Sequence, residues 1–209
     1  MGAHLYTYAD PPSERDLGRA IRCLENDGTL AYPTEVNWAF GCDAGNVRAL
    51  DRIRQLKPAH PKERPFTLIC ADIAMAATVG HIDHYAYRYL KRIWPGPYTV
   101  LLRRNRSLPR QMKDKRPVVG VRIPASPLVL ALVKKFGRPL ATTSVPMKNS
   151  GTPYQMGFEV FEDFGHGIDL VLDLGQSLPG LESTIVDFSE GAPIIIREGV
   201  GDPTVFGIS

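Results

Sequence analysis

The stretch from Gly28 to Asp43, reading GTLAYPTEVNWAFGCD, constrains this chain more than any other. Thr29 to Tyr32 is an apolar run of strand length, and Pro33 closes it by fixing its own φ and withdrawing an N–H from the ladder. Thr34 and Glu35 then sit just past the carboxyl end of a strand. In an open α/β sheet that edge is where ligands bind, because the crevice outside the strand ends is left uncovered. The same residues also suit a plain strand-to-loop turn whose hydroxyl caps a local N–H.

At 209 residues the chain fits a single domain, 1–209, with room for an adequate core. Hydrophobic residues at 44% and charged residues at 22% exclude a disordered or fibrous class. A net charge of +3 is too small to imply nucleic acid by itself. Distribution says more: Arg103, Arg104, Arg106, Arg110, Lys113, Lys115 and Arg116 cluster around one acid, Asp114. That cluster reads either as a solvated connector between strands or as a phosphate-facing patch. Cys23, Cys42 and Cys70 fit no closed disulfide framework and no zinc spacing, which points to a reducing compartment. No signal segment and no membrane-length apolar run is evident, so a soluble, cytoplasmic protein is expected.

His4 to Tyr8 reads as an edge strand. Ser13, with Asp16 three positions on, opens a helix carrying Leu17, Ala20, Ile21 and Leu24, and Asn26-Asp27-Gly28 stops it with a residue suited to positive φ. Further helices are expected over Asn46 to Lys57, Tyr85 to Ile93, Pro127 to Phe136 and Phe158 to Phe164. Strands are expected at Phe66 to Cys70, Tyr98 to Leu102, Val118 to Ile123 and Leu140 to Ser144. This alternation argues a twisted, mixed α/β sheet with helices on its faces. The later segments Leu170 to Leu174, Ser183 to Asp187 and Pro193 to Ile196 lack intervening helices, so antiparallel pairing is expected there. Pro146 to Gly157 reads as the flexible connector, able to close over a ligand or merely to join two elements.

The sequence holds no G-x-x-x-x-G-K-S/T loop, no G-x-G-x-x-G, no G-x-S-x-G elbow and no metal cluster. It does hold hydroxyls and cations at expected strand ends. Arg122, just before Pro124, can grip a carboxylate in two parallel hydrogen bonds, or it can serve a structural ion pair. Arg197 suits a ligand or its neighbour Glu198, and Ser183 and Thr184 suit a ligand or a strand cap. His60, His81, His84 and His166 lack a carboxylate at a telling spacing, which leaves Glu35 as the best acidic candidate.

Pro33, Thr34, Glu35 and Gly41 are followed in order by Trp94-Pro95-Gly96-Pro97-Tyr98-Thr99, Val121-Arg122-Ile123-Pro124, Glu182-Ser183-Thr184-Ile185-Val186-Asp187 and Arg197-Glu198-Gly199. Over nearly its whole length this pattern resembles the YrdC/YciO family of threonylcarbamoyl-AMP synthases. The resemblance implies a YrdC-like twisted open mixed sheet with helices packed on it and a concave, basic ligand-binding surface. It implies a nucleotidyltransferase that condenses ATP, L-threonine and bicarbonate to threonylcarbamoyl-AMP plus pyrophosphate, with Mg²⁺ accompanying ATP, for threonylcarbamoyl-adenosine modification of tRNA. On the same ground Thr34, Arg122, Ser144 and Ser183 would contact threonine, while Lys57, Lys62, Arg64, Asn149 and Arg197 would face ATP. No side chain is implied as catalytic or as a metal ligand. The family's lysine element falls at Lys57 by count from Thr34, or at Lys62-Glu63-Arg64-Pro65 by local pattern. Ala39, Phe66-Thr67 and Pro146 resemble the YciO branch; Pro146 stands where the synthases carry an asparagine, for which Asn149 would substitute if its loop folds back. The other reading is a non-catalytic protein of the same fold that holds double-stranded RNA or tRNA by phosphate contacts and shape.

Overall fold

A computed structural model describes residues 2–57, 66–106 and 117–207. The elements in chain order are β1 (Ala3–Tyr6), α1 (Glu14–Glu25), β2 (Thr29–Pro33), β3 (Trp38–Asp43), α2 (Val47–Gln55), β4 (Thr67–Ile69), α3 (Ile73–Val79) and α4 (His84–Ile93). They continue with β5 (Tyr98–Arg103), β6 (Val118–Arg122), α5 (Pro127–Phe136), β7 (Leu140–Ser144), α6 (Gly157–Phe164), β8 (Leu170–Asp173), β9 (Thr184–Asp187) and β10 (Ile194–Arg197). Helix starts follow local chemistry. Ser13, Asn46, Asp72 and Asp83 each accept a backbone N–H of the first turn they precede, which satisfies a donor that has no partner within the helix. The short helix α3 is not signalled by apolar spacing, and its cap Asp72 is what marks it. After α1 the left-handed residue is Asp27, at φ 59°, and not Gly28. Gly28 is needed for space instead: a Cβ there would lie 2.4 Å from the Cys23 carbonyl oxygen.

The strands form one ten-stranded sheet in the order β1-β8-β2-β3-β7-β4-β6-β5-β9-β10. It is mixed, as expected, but the tail strands are not a run of antiparallel pairs. β8 is parallel to both β1 and β2, β9 is parallel to β5, and only β10 pairs antiparallel, with β9. The reason is that β8 and β9 are not neighbours. Each inserts beside a strand made much earlier, so a connection without a helix does not imply a hairpin.

Residues in register share a face of the sheet. On one face Ala31, Phe40, Cys42, Leu68, Val100, Val121, Ala141, Val171 and Val186 belong to the core that α2, α3, α4 and α6 cover. On the other, Leu30, Tyr32, Ala39, Ile69, Leu140, Leu170 and Leu172 meet Leu17, Ala20 and Leu24 of α1 and Leu128, Leu132 and Phe136 of α5. That second layer covers only part of its face. The remainder is where polar residues collect.

Candidate functional site

Strand register places Thr67, Gly120 and Thr142 side by side, and next to them Thr99 in line with Arg122. Ser144 pairs with Ala39, and Arg197 with Ile185, so both lie on this same face. Ser183, one residue before β9, continues the row: its Oγ is 2.9 Å from Thr99 Oγ1. The part of the face beyond α1 and α5 is therefore a floor of hydroxyls flanked by two guanidinium groups. At the seam Tyr32 lies across Gly41, where a Cβ would come within 2.6 Å of its ring. Its OH donates to Thr142 Oγ1 at 2.8 Å. Burial raises the Tyr32 phenol well above its ordinary value, so it keeps its proton and stays a donor.

Arg122 and Glu35 show how strongly the sheet coils. In the ladder Arg122 lies level with Ile69, which is level with Leu140, which is level with Asp43. That row leads to the amino end of β2, yet Glu35 lies beyond its carboxyl end. Four inter-strand steps separate β6 from β2, and at roughly 20–25° each they turn the sheet by about 90°. Coiling thus brings the two motifs together, with Arg122 Nη2 at 2.9 Å from Glu35 Oε1. Ser126, the N-cap of α5, adds a bond from its Oγ to the Pro33 carbonyl. The guanidinium is buried, its side chain only 9% exposed. The contact with Glu35 has ion-pair distance but not hydrogen-bond alignment, so Arg122 Nε and Nη2 and both Glu35 oxygens are buried without an aligned partner.

The other expected residues divide. Thr34 is used by its own turn: its Oγ1 donates to the Asn37 carbonyl and accepts from Val36 N and Asn37 N. Ser183 lies on the floor, bonded to Thr99 and to Arg197. Arg197 pairs with Glu182, at 2.8 Å, and not with its neighbour Glu198; its Nε and Nη2 also donate to the Ser183 carbonyl. Lys57 comes from the α2 side, and its ammonium donates to Thr143 Oγ1 and the Ser144 carbonyl, at the end of β7. Ser144 is exposed at that strand end, and Asn149 is exposed in a tight turn where Gly151 N donates to the Lys148 carbonyl. Lys62 and Arg64 lie outside the described residues, as do His60 and the 107–116 part of the basic cluster with Arg110, Lys113, Asp114, Lys115 and Arg116.

The connector from Pro146 to Gly157, expected to be flexible, is tied down. Trp38 Nε1 donates to the Gln155 carbonyl, Tyr154 OH donates to Asp163, and Lys148 pairs with Glu159. Sequence reading passed over Thr67, Thr99 and Thr142. Their signal is a hydroxyl at an inward position of a strand, which becomes informative only once register aligns the three. It also passed over His4, whose Nε2 is 2.8 Å from Asp173 Oδ2 and ties the edge strand β1 to β8. Burial raises the thiols of Cys42 and Cys70 to about 12 and that of Cys23 to about 11. Each stays protonated at neutral pH and is a poor nucleophile.

Comparison with known proteins adds independent findings. The Sua5/YciO/YrdC family model, described as "telomere recombination", matches residues 22–199. The Escherichia coli uncharacterized protein YciO is 30% identical over 99% of this chain and 100% of its own length. Its crystal structure superposes with a TM-score of 0.90 over 99% of this chain and 100% of that one. The threonylcarbamoyl-AMP synthase of Pyrococcus abyssi is 31% identical over 81% of this chain, which spans 50% of that protein. The crystal structure of P. abyssi Sua5 complexed with L-threonine has a TM-score of 0.83 at 28% identity, over 94% of this chain and 57% of that one.

Proposed function

The chain belongs to the Sua5/YciO/YrdC family, and from that premise we propose that its open face condenses L-threonine, bicarbonate and ATP to threonylcarbamoyl-AMP and pyrophosphate. The observation that carries the reading is Arg122: a buried guanidinium at the wall of a hydroxyl floor, with Nε and Nη2 lacking an aligned acceptor. A substrate carboxylate offers two oxygens in the geometry those donors require, each such charge-assisted bond contributing roughly 1.5–3 kcal/mol.

The chemistry asks little more of the protein than placement. The threonine amine adds to bicarbonate with loss of water to give the carbamate. A carbamate oxygen then forms a bond to the α-phosphorus of ATP as the bond to the pyrophosphate leaving group breaks. No protein nucleophile takes part, in keeping with three thiols held protonated. Holding the amino acid by its carboxylate fixes the amine, and with it the carbamate, relative to the nucleotide. In this reading Thr99, Ser183 and Thr67 supply hydroxyls to the polar parts of the substrates, while Thr142, whose Oγ1 donates to the Phe40 carbonyl and accepts from Tyr32, fixes the floor beneath them. Arg197 orders the Ser183 segment rather than acting as an unencumbered phosphate ligand. Among the described residues no group of three or more His, Cys, Asp or Glu is gathered for a metal. Mg²⁺ would therefore be held through the ATP phosphates, and no step here is routed through it. A role in tRNA modification follows if the adenylate is passed on.

The test is pyrophosphate release from ATP with threonine or bicarbonate omitted in turn. Release that needs both is expected. Release that needs neither would make the protein act on ATP with another acceptor, and no release at all alongside salt-sensitive binding of double-stranded RNA would replace this reading with the RNA-holding one.

A further inference from the structure

Glu35 bears on the same site in a way the condensation does not require. The atoms of Arg122 best placed to grip a carboxylate, Nε and Nη2, are shut off from solvent, and the group beside them is the Glu35 carboxylate, 2.9 Å from Nη2. Both Glu35 oxygens are themselves buried without an aligned hydrogen bond. A buried carboxylate ordinarily accepts at least one hydrogen bond, so this one is held by charge in a seat that satisfies neither partner.

The backbone around Glu35 does not depend on that contact. Thr34 closes the turn through its own hydroxyl, Thr34 N donates to the Asn37 carbonyl, and Leu181 N donates to the Val36 carbonyl. The Glu35 side chain keeps 19% exposure, which gives it a way out toward solvent. Rotation of that side chain alone would uncover Arg122 while the turn stays folded.

We infer that Glu35 is a built-in competitor for the substrate carboxylate: in the empty protein it occupies the seat on Arg122 that the amino-acid carboxylate takes, and it must swing aside for that ligand to bind. The inference rests on the assignment of Arg122 to a carboxylate ligand. Its consequence is selectivity. An incoming carboxylate must outdo a tethered one, whose effective concentration is high, so anions that make no further contacts on the hydroxyl floor are turned away.

Two variants and two readouts test it. Phenylglyoxal modification of Arg122, followed by mass spectrometry and normalised to the exposed Arg15, reports whether the guanidinium is covered. Calorimetry reports L-threonine affinity. Glu35→Ala, which removes the cover, should speed labelling of Arg122 about tenfold. Glu35→Gln, which removes the charge and keeps the shape, should tighten L-threonine about tenfold, one charged interaction's worth, and leave threonine amide unaffected. If Glu35→Ala melts early, the Glu35→Gln affinity alone decides. Unchanged labelling together with unchanged or weaker threonine binding would overturn the inference and make Glu35 a plain structural partner. Faster labelling that threonine fails to protect in any variant would instead leave the competitor standing and remove threonine as its rival.

Discussion

The two halves of one sheet face have the same backbone and the opposite character. Where Leu30, Tyr32, Ala39, Ile69 and Leu140 alternate inward, α1 and α5 cover them. Where the equivalent positions are Thr67, Thr142, Thr99, Ser183 and Arg122, the floor is polar and recessed. One threonine for one leucine at alternate positions decides whether a helix can settle there, because a helix buries apolar area at roughly 25 cal/mol per Å² and has nothing to offer buried hydroxyls. The apolar half is a core, and the polar half is the face on which the proposed site is built.

The contrast can be broken or sharpened by substitution. Leu132→Ala, in the covered half, should cost about 3 kcal/mol by leaving a cavity under α5; urea denaturation would show it, and threonine affinity in the protein that remains folded should not move. Arg122→Ala, in the open half, should do both. It removes a buried side chain and leaves Glu35 to turn out to solvent, at a cost of about 1 kcal/mol, and it should abolish threonine-dependent pyrophosphate release. Retained release would remove Arg122 from the site.

At the seam, Tyr32→Phe should cost about 1 kcal/mol at neutral pH through the lost bond to Thr142. The sign of its pH dependence follows from burial. The folded phenol titrates above the unfolded value of 10.0, so its contribution is intact below that value and fades as pH rises past it. The gap between wild type and Tyr32→Phe in denaturation should therefore narrow above pH 10.0. The smallest effect belongs to the rim. Glu182→Ala removes a pair whose side chains are 36% and 53% exposed, and should change stability by less than about 0.5 kcal/mol, since Arg197 keeps its bonds to Ser183. A loss several times larger would make that rim part of the core.

Local patterns decided much of this protein. Caps, apolar spacing and Pro or Gly stops set most elements within a residue or two, and the order of short motifs carried the family. α5 and β7 have the expected bounds because Ser126, Pro127 and Gly137 mark the helix ends and the hydroxyls of Thr142 to Ser144 mark the strand end. Those signals act within a few residues, and a sequence records them directly. Pairing was different. The parallel insertion of β8 and β9 depends on which distant strand offers a free edge, and no local pattern encodes that. The site was legible as residue types but not as contacts. Arg122 and Arg197 both stood out as guanidinium groups at strand ends, and sequence alone could not say that one faces Glu35 and the other Glu182. Lys57 stands out by its count from Thr34, and only the fold shows that its ammonium meets Thr143 and the Ser144 carbonyl at the end of β7. Tertiary structure settled these partners because they arise from sheet register and a coil of about 90°, which bring Arg122 to Glu35 and Lys57 to Thr143 from distant parts of the chain and set Arg197 against Glu182 across the β9–β10 pair, and which leave no trace in the spacing around any of them.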